Sequence, residues 1–120
     1  MSFKHFETNL DKENEYPKLV RDKIPEVVKE NSGKIIKTRI LEDDEEYSQF
    51  LMKKVEEEAH ELANAEDKEH VMEEVADVLE LIDAILEFNG ADLETVRKVQ
   101  KEKAEKRGGF KKRLLMLEKV

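Results

Sequence analysis

Cysteine is missing from this 120-residue chain, and so is tryptophan. Without cysteine there is no disulfide and no thiol catalysis, which is compatible with a cytoplasmic protein. No apolar run approaches the roughly 20 residues of a membrane-spanning helix. The N-terminal stretch MSFKHFETNLDKENEY lacks the apolar segment of a secretory signal. The expectation is therefore a cytoplasmic protein with no membrane partner. G-x-x-x-x-G-K-S/T does not occur, which excludes a P-loop. Repeats and low-complexity segments are also absent. Hydrophobic residues make up only 38% of the chain, and mean hydropathy is -0.76. That suffices for one domain with a thin core, so a homo-oligomer, dimer or tetramer, whose helices share a core across an interface is expected.

Charge is abundant and unevenly spread. Charged residues are 43% of the chain and the net charge is -8. Residues 42–94 hold twenty acidic residues against Lys53, Lys54 and Lys68; residues 97–113 hold nine basic residues against Glu102 and Glu105. An acidic site beside a basic segment suits an anionic substrate that brings a divalent cation. Alternatively, the two regions neutralise each other in the fold.

Residues 1–15 read as a loose N-terminal extension, with Phe3, Phe6 and Leu10 as candidate docking residues. Residues 16–120 read as one all-α domain. Asp22 is placed to cap a short helix with Pro25 in its first turn, ending at Glu30 or Asn31 before Gly33. KIIKTRIL, residues 34–41, is β-branched and short; it reads as one extended segment that pairs outside the chain or stays irregular. Asp43 with Glu46 forms an acidic capping box for a helix ending near Ala65. Asp67 caps a second, reaching Asn89 before Gly90. Asp92 caps a third, from Leu93 to Lys106, with Val96, Val99 and Ala104 inward. Gly108-Gly109 breaks it, and residues 110–120 are expected to bury Phe110, Leu114, Leu115 and Leu117.

The chemistry concentrates on the first two long helices. Glu57, Glu58 and Glu61 spell E-E-x-x-E, and after twelve intervening residues Glu74 and Asp77 spell E-x-x-D. Each helical residue advances about 100°, so spacings of three and four share a face. The apolar stripe of the first helix is Tyr47, Leu51, Val55, Ala59 and Leu62; Glu58 falls inside it and Glu61 at its edge. On the second helix Glu74 lies within a wide apolar arc, flanked by Val78, Leu81 and Ile85. Asp77 lies at the border of that arc, beside Phe88. A carboxylate on an apolar face must be neutralised, paired or bound to a metal. Converging carboxylates raise one another's pKa unless a cation sits among them. An all-oxygen donor set suits Mg2+ or Mn2+ rather than zinc. The plainer alternative is a pair of irregular, solvated helical faces in a Glu-rich chain.

Other features carry less. Glu57-x-x-His60 matches the E-x-x-H of di-iron bundles, but Asp67-x-x-His70 is a poor second copy, so both histidines read as exposed helix residues. Arg21 and Lys23 beside the first cap are either phosphate contacts or surface salt-bridge partners. Asp83 projects away from the Glu74 side. Two readings rival a metal site: a nucleic-acid binder using residues 97–113, disfavoured by the net acidity, and a non-catalytic helical partner.

The acid motif on two consecutive helices resembles that of the all-α nucleoside triphosphate pyrophosphohydrolases, which include MazG-like proteins, dimeric dUTPases and phosphoribosyl-ATP pyrophosphohydrolase. Lys18 to Glu26, KLVRDKIPE, and Lys106 to Phe110, KRGGF, resemble segments of a small MazG-like branch of house-cleaning pyrophosphatases. The matches span residues 16–115; residues 1–15 lie outside them. The resemblance implies an oligomeric helical bundle and Mg2+-dependent hydrolysis of a nucleoside triphosphate between its α- and β-phosphates. It implies Glu58, Glu61, Glu74 and Asp77 as metal ligands, and Glu57 as a supporting acid or a ligand to a further ion. Glu57 and Glu61 become the candidates to hold the attacking water. Arg21, Lys23, Lys103 and Arg107 become the candidate phosphate contacts.

Overall fold

A computed structural model describes residues 16–120; the N-terminal extension lies outside the described residues. Among them the chain is all-helical, with four helices and no strand: α1 Ile24–Ser32, α2 Asp44–Ala63, α3 Lys68–Phe88 and α4 Leu93–Arg107. No helix among them is long and apolar enough to cross a membrane. The described residues divide into two compact units, one up to Ile82 and one from Asp83 to Val120.

The ends of the long helices follow from short polar side chains. Asp43 is the N-cap of α2, and its carboxylate accepts from the Glu46 backbone N–H at 2.9 Å. Asp67 accepts from the His70 N–H at 2.8 Å, and Asp92 from the Thr95 N–H at 2.8 Å. Each satisfies a donor that has no partner within its helix. That contact holds the Asp92 carboxyl below its ordinary pKa. α1 closes on Gly33, whose φ of 71° is the left-handed conformation that a Cβ disfavours.

Two local expectations are corrected. The N-cap position of α1 is Lys23 rather than Asp22, with no side-chain capping bond; Pro25 in the first turn needs no donor partner there. Glu46 does not close the capping box with its side chain. Its carboxylate takes both arms of the Arg39 guanidinium, at 2.9 and 2.7 Å, because a bidentate charged pair outcompetes a neutral backbone donor. That fork lowers the Glu46 pKa, raises that of Arg39, and ties residues 34–41 to the start of α2. Those residues remain irregular, since a β-branched run with no partner strand has nothing to pair with.

Burial is sparse. Among the described residues only Leu51, 1% exposed, and Glu74, 9% exposed, are fully buried. Leu51 belongs to the expected α2 stripe, in which Tyr47, Val55 and Leu62 are half-buried. Ala59 is exposed. The broad apolar arc of α3 splits in two. Val78, Leu81 and Ile85, on the Glu74 side, are half-buried, while Met72, Val75 and Leu79 are exposed.

The second unit departs further from expectation. Every residue of α4 is exposed, including Val96, Val99 and Ala104. Phe110, Leu114, Leu115 and Leu117 are 82–97% exposed. In α4 the apolar residues are too few, among nine charged ones, to make a continuous stripe. After Gly108 no helix forms to give residues 110–120 a common face.

Candidate functional site

The first unit brings the acids together through ordinary helical spacing. On α2, Lys54 precedes Glu57 and Glu58 by three and four residues, so the three side chains share a face. Lys54 Nζ donates to Glu57 Oε2 at 3.1 Å and lies 3.8 Å from Glu58 Oε1. All three side chains are largely buried, none more than 19% exposed. On α3, His70, Glu74 and Asp77 follow at spacings of four and three. Glu74 Oε1 is 3.3 Å from His70 Nε2. Its other oxygen, Oε2, is buried with no hydrogen-bond partner. Arg21, arriving just before α1, donates from Nη2 to Asp77 Oδ1 at 2.7 Å.

Two groups of ligand atoms result. Glu58, Glu74 and Asp77 each offer one atom within 4.8 Å of the others, and so do Glu61, His70 and Glu74. Glu74 belongs to both. The most buried residue of α3 is thus the acid that joins the groups.

The electrostatics are those of crowded carboxylates. Burial is the largest cause pushing the Glu58 carboxyl up from 4.5 to about 7. A hydrogen bond with Glu74 adds to it, as do the charges of Asp77 and Glu74, while Lys54 opposes the rise. At neutral pH Glu58 therefore retains its proton about half the time. Lys54 and Arg21 compensate the cluster only at its edges, and apart from the Glu58 carboxyl no donor or cation answers Glu74 Oε2. Such an atom is costly to bury. A divalent ion between Glu58, Glu74 and Asp77 would remove that cost, and three carboxylates are the donor set that hard ions take. The residues present fit such an ion.

The sequence-derived residues fall as follows. Glu58, Glu61, Glu74 and Asp77 meet around Glu74, and Glu57 stands beside Lys54. Arg21 reaches the cluster through Asp77. Lys23 is exposed at the α1 N-cap, and Lys103 and Arg107 are exposed on α4 in the second unit. Two members were not placed at the site from the sequence: Lys54, and His70, which reads there as an exposed helix residue and is half-buried. Lys54 could have been found from its three- and four-residue spacing to Glu57 and Glu58, and His70 from its four-residue spacing to Glu74. His60, expected to be exposed, is half-buried, and its Nδ1 has no partner. Compared with models of known families, with proteins of curated function and with solved structures, the chain matches none.

Proposed function

We propose that this chain is a MazG-like, metal-dependent nucleoside triphosphate pyrophosphohydrolase, with Mg2+ as its ion and Mn2+ as a substitute. The observation that carries the reading is the convergence of Glu58, Glu74 and Asp77 on one point, with a buried, unpartnered oxygen on Glu74. The nucleotide part of the reading rests on the resemblance of the acid motif, KLVRDKIPE and KRGGF. In the reaction water attacks the α-phosphorus, the bond to the α–β bridging oxygen breaks, and a monophosphate and pyrophosphate leave. House-cleaning, the removal of aberrant nucleotides, is the corresponding cellular role.

Glu58, Glu61, Glu74 and Asp77 are the proposed metal ligands. A divalent ion held there supplies charge neutralisation for phosphate oxygens and acidity for an attacking water. Glu61 and Glu57 are the acids placed to orient that water and accept its proton. Glu57 already accepts from Lys54, which holds its carboxylate in place for this task. Arg21 carries a planar, permanently charged fork to Asp77, and exchange of Asp77 for a phosphate oxygen would make it a substrate clamp. Lys23, Lys103 and Arg107 are the further proposed phosphate contacts. A homo-oligomer accounts for the exposed Met72, Val75 and Leu79 stripe of α3, which a second copy of the chain would cover.

The test is pyrophosphate release from a panel of normal and damaged nucleoside triphosphates, with Mg2+ or EDTA, for wild type and Glu74→Gln. Mg2+-dependent pyrophosphate from wild type alone is expected. Orthophosphate instead would refute the choice of bond. No turnover, with Mg2+ failing to raise the melting temperature, would favour a non-catalytic helical partner.

A further inference from the structure

His70 has no part in the acid motif, yet it stands against that motif's most buried member. Its Nε2 lies 3.3 Å from Glu74 Oε1, and one atom each of Glu61, His70 and Glu74 falls within 4.8 Å of the others. The three come from two helices, Glu61 from the last turns of α2 and His70 and Glu74 from α3. Glu74 is nine-tenths buried, and its Oε2 has no hydrogen-bond donor other than the Glu58 carboxyl, so the carboxylate still lacks a permanent cation. The chemistry differs from that of the neighbouring group. Glu58, Glu74 and Asp77 offer oxygen alone, which suits Mg2+. One imidazole with two carboxylates is a mixed donor set, which favours first-row transition ions over Mg2+.

We propose that Glu61, His70 and Glu74 form a second cation position, selective for a divalent transition-metal ion of the Mn2+ to Zn2+ series, beside the oxygen-only position. It rests on Glu74 being a metal ligand, as proposed above, and not on any reaction. The imidazole binds through Nε2 with its ring proton on Nδ1, so the contact with Glu74 gives way to a shared ion. The half-exposed ring leaves open coordination for water or a substrate oxygen on the solvent side. The chain would then hold one hard and one softer ion bridged by the Glu74 carboxylate. Its ion preference would depend on a residue outside both acid motifs.

The experiment uses the full chain and Mn2+ alone as the probe, read by electron paramagnetic resonance. Titration gives the affinity, and pulsed spectra detect nitrogen in the first coordination sphere. Wild type should show nitrogen coordination. His70→Gln should abolish it and weaken Mn2+ binding about 10- to 100-fold, the scale seen when even a supporting group of a metal site is lost. Mg2+ binding, followed by calorimetry, should be unchanged in His70→Gln. His60→Gln should keep the nitrogen signal. Circular dichroism verifies the fold of each variant, and His70 is exposed enough for replacement to leave the helices intact. Mn2+ bound without nitrogen, or a nitrogen signal that survives His70→Gln, overturns this inference while the Mg2+ position stands. Failure of wild type to bind either ion overturns both.

Discussion

Replacing Glu58 by Gln should make the metal-free protein more stable, by a margin that opens above about pH 4.5 and is nearly complete by about pH 7. The folded chain holds the Glu58 proton up to about pH 7, whereas the unfolded chain releases it near the ordinary 4.5. Between those values the native state binds more protons than the unfolded one. Stability from this group is therefore fully present below about pH 4.5 and is lost as pH rises through about 7. By about pH 8 the ionised folded chain carries a penalty of roughly 3 kcal/mol, which solvent screening reduces to about 2 kcal/mol. Gln has the shape of the protonated acid and can donate to Glu74 as the shared proton does, but it never ionises. Urea unfolding in EDTA at fixed protein concentration should give equal stabilities near pH 4.5. Near pH 8 the variant should lead by about 2 kcal/mol. Mg2+ should then reverse the order: at 100 times its dissociation constant it stabilises wild type by about 2.7 kcal/mol, and it should do far less for a chain lacking a ligand. A variant less stable than wild type in EDTA near pH 8, or a difference independent of pH, would refute the crowded-carboxylate account of this cluster.

Other perturbations follow from the same geometry. Leu51→Ala should cost about 2–5 kcal/mol in urea unfolding, since this is the one fully buried apolar side chain among the described residues. Asp67→Ala removes the α3 cap that sets the phase of His70 and Glu74; a loss of about 1 kcal/mol and weaker Mg2+ binding by calorimetry are expected. Arg21→Met frees Asp77 of its guanidinium, so Mg2+ should bind more tightly without nucleotide while KM for the triphosphate rises. Mg2+ binding near pH 6 should release close to one proton from Glu58, falling to about half a proton near pH 7 and to very little above about pH 8, as shown by calorimetry in buffers of different ionisation enthalpy. Leu79→Glu places a charge in the exposed α3 stripe and should shift a homo-oligomer to monomer in sedimentation.

The sequence by itself determined what depends on near neighbours along the chain. The Asp43, Asp67 and Asp92 caps and the Gly33 stop can be read directly, because a cap and its partner are at most four residues apart. Helical spacing also put Glu58 and Glu74 on inward faces, which follows from one helix and its own axis. A wheel assigns angles but does not say where the neighbouring helix stands. Only the tertiary structure decided which half of the broad α3 arc is covered, leaving Glu74 buried while Val75 and Leu79 stay 40% and 47% exposed. It also drew Arg21 from 56 residues away onto Asp77 and turned Glu46 toward Arg39 instead of its own helix end. Residues 110–120, apolar enough to promise burial, found no face to join. Local hydrogen bonding is encoded within one helical turn. The burial of a charge, and the cations that answer it, depend on side chains that only the folded chain brings within a few ångströms.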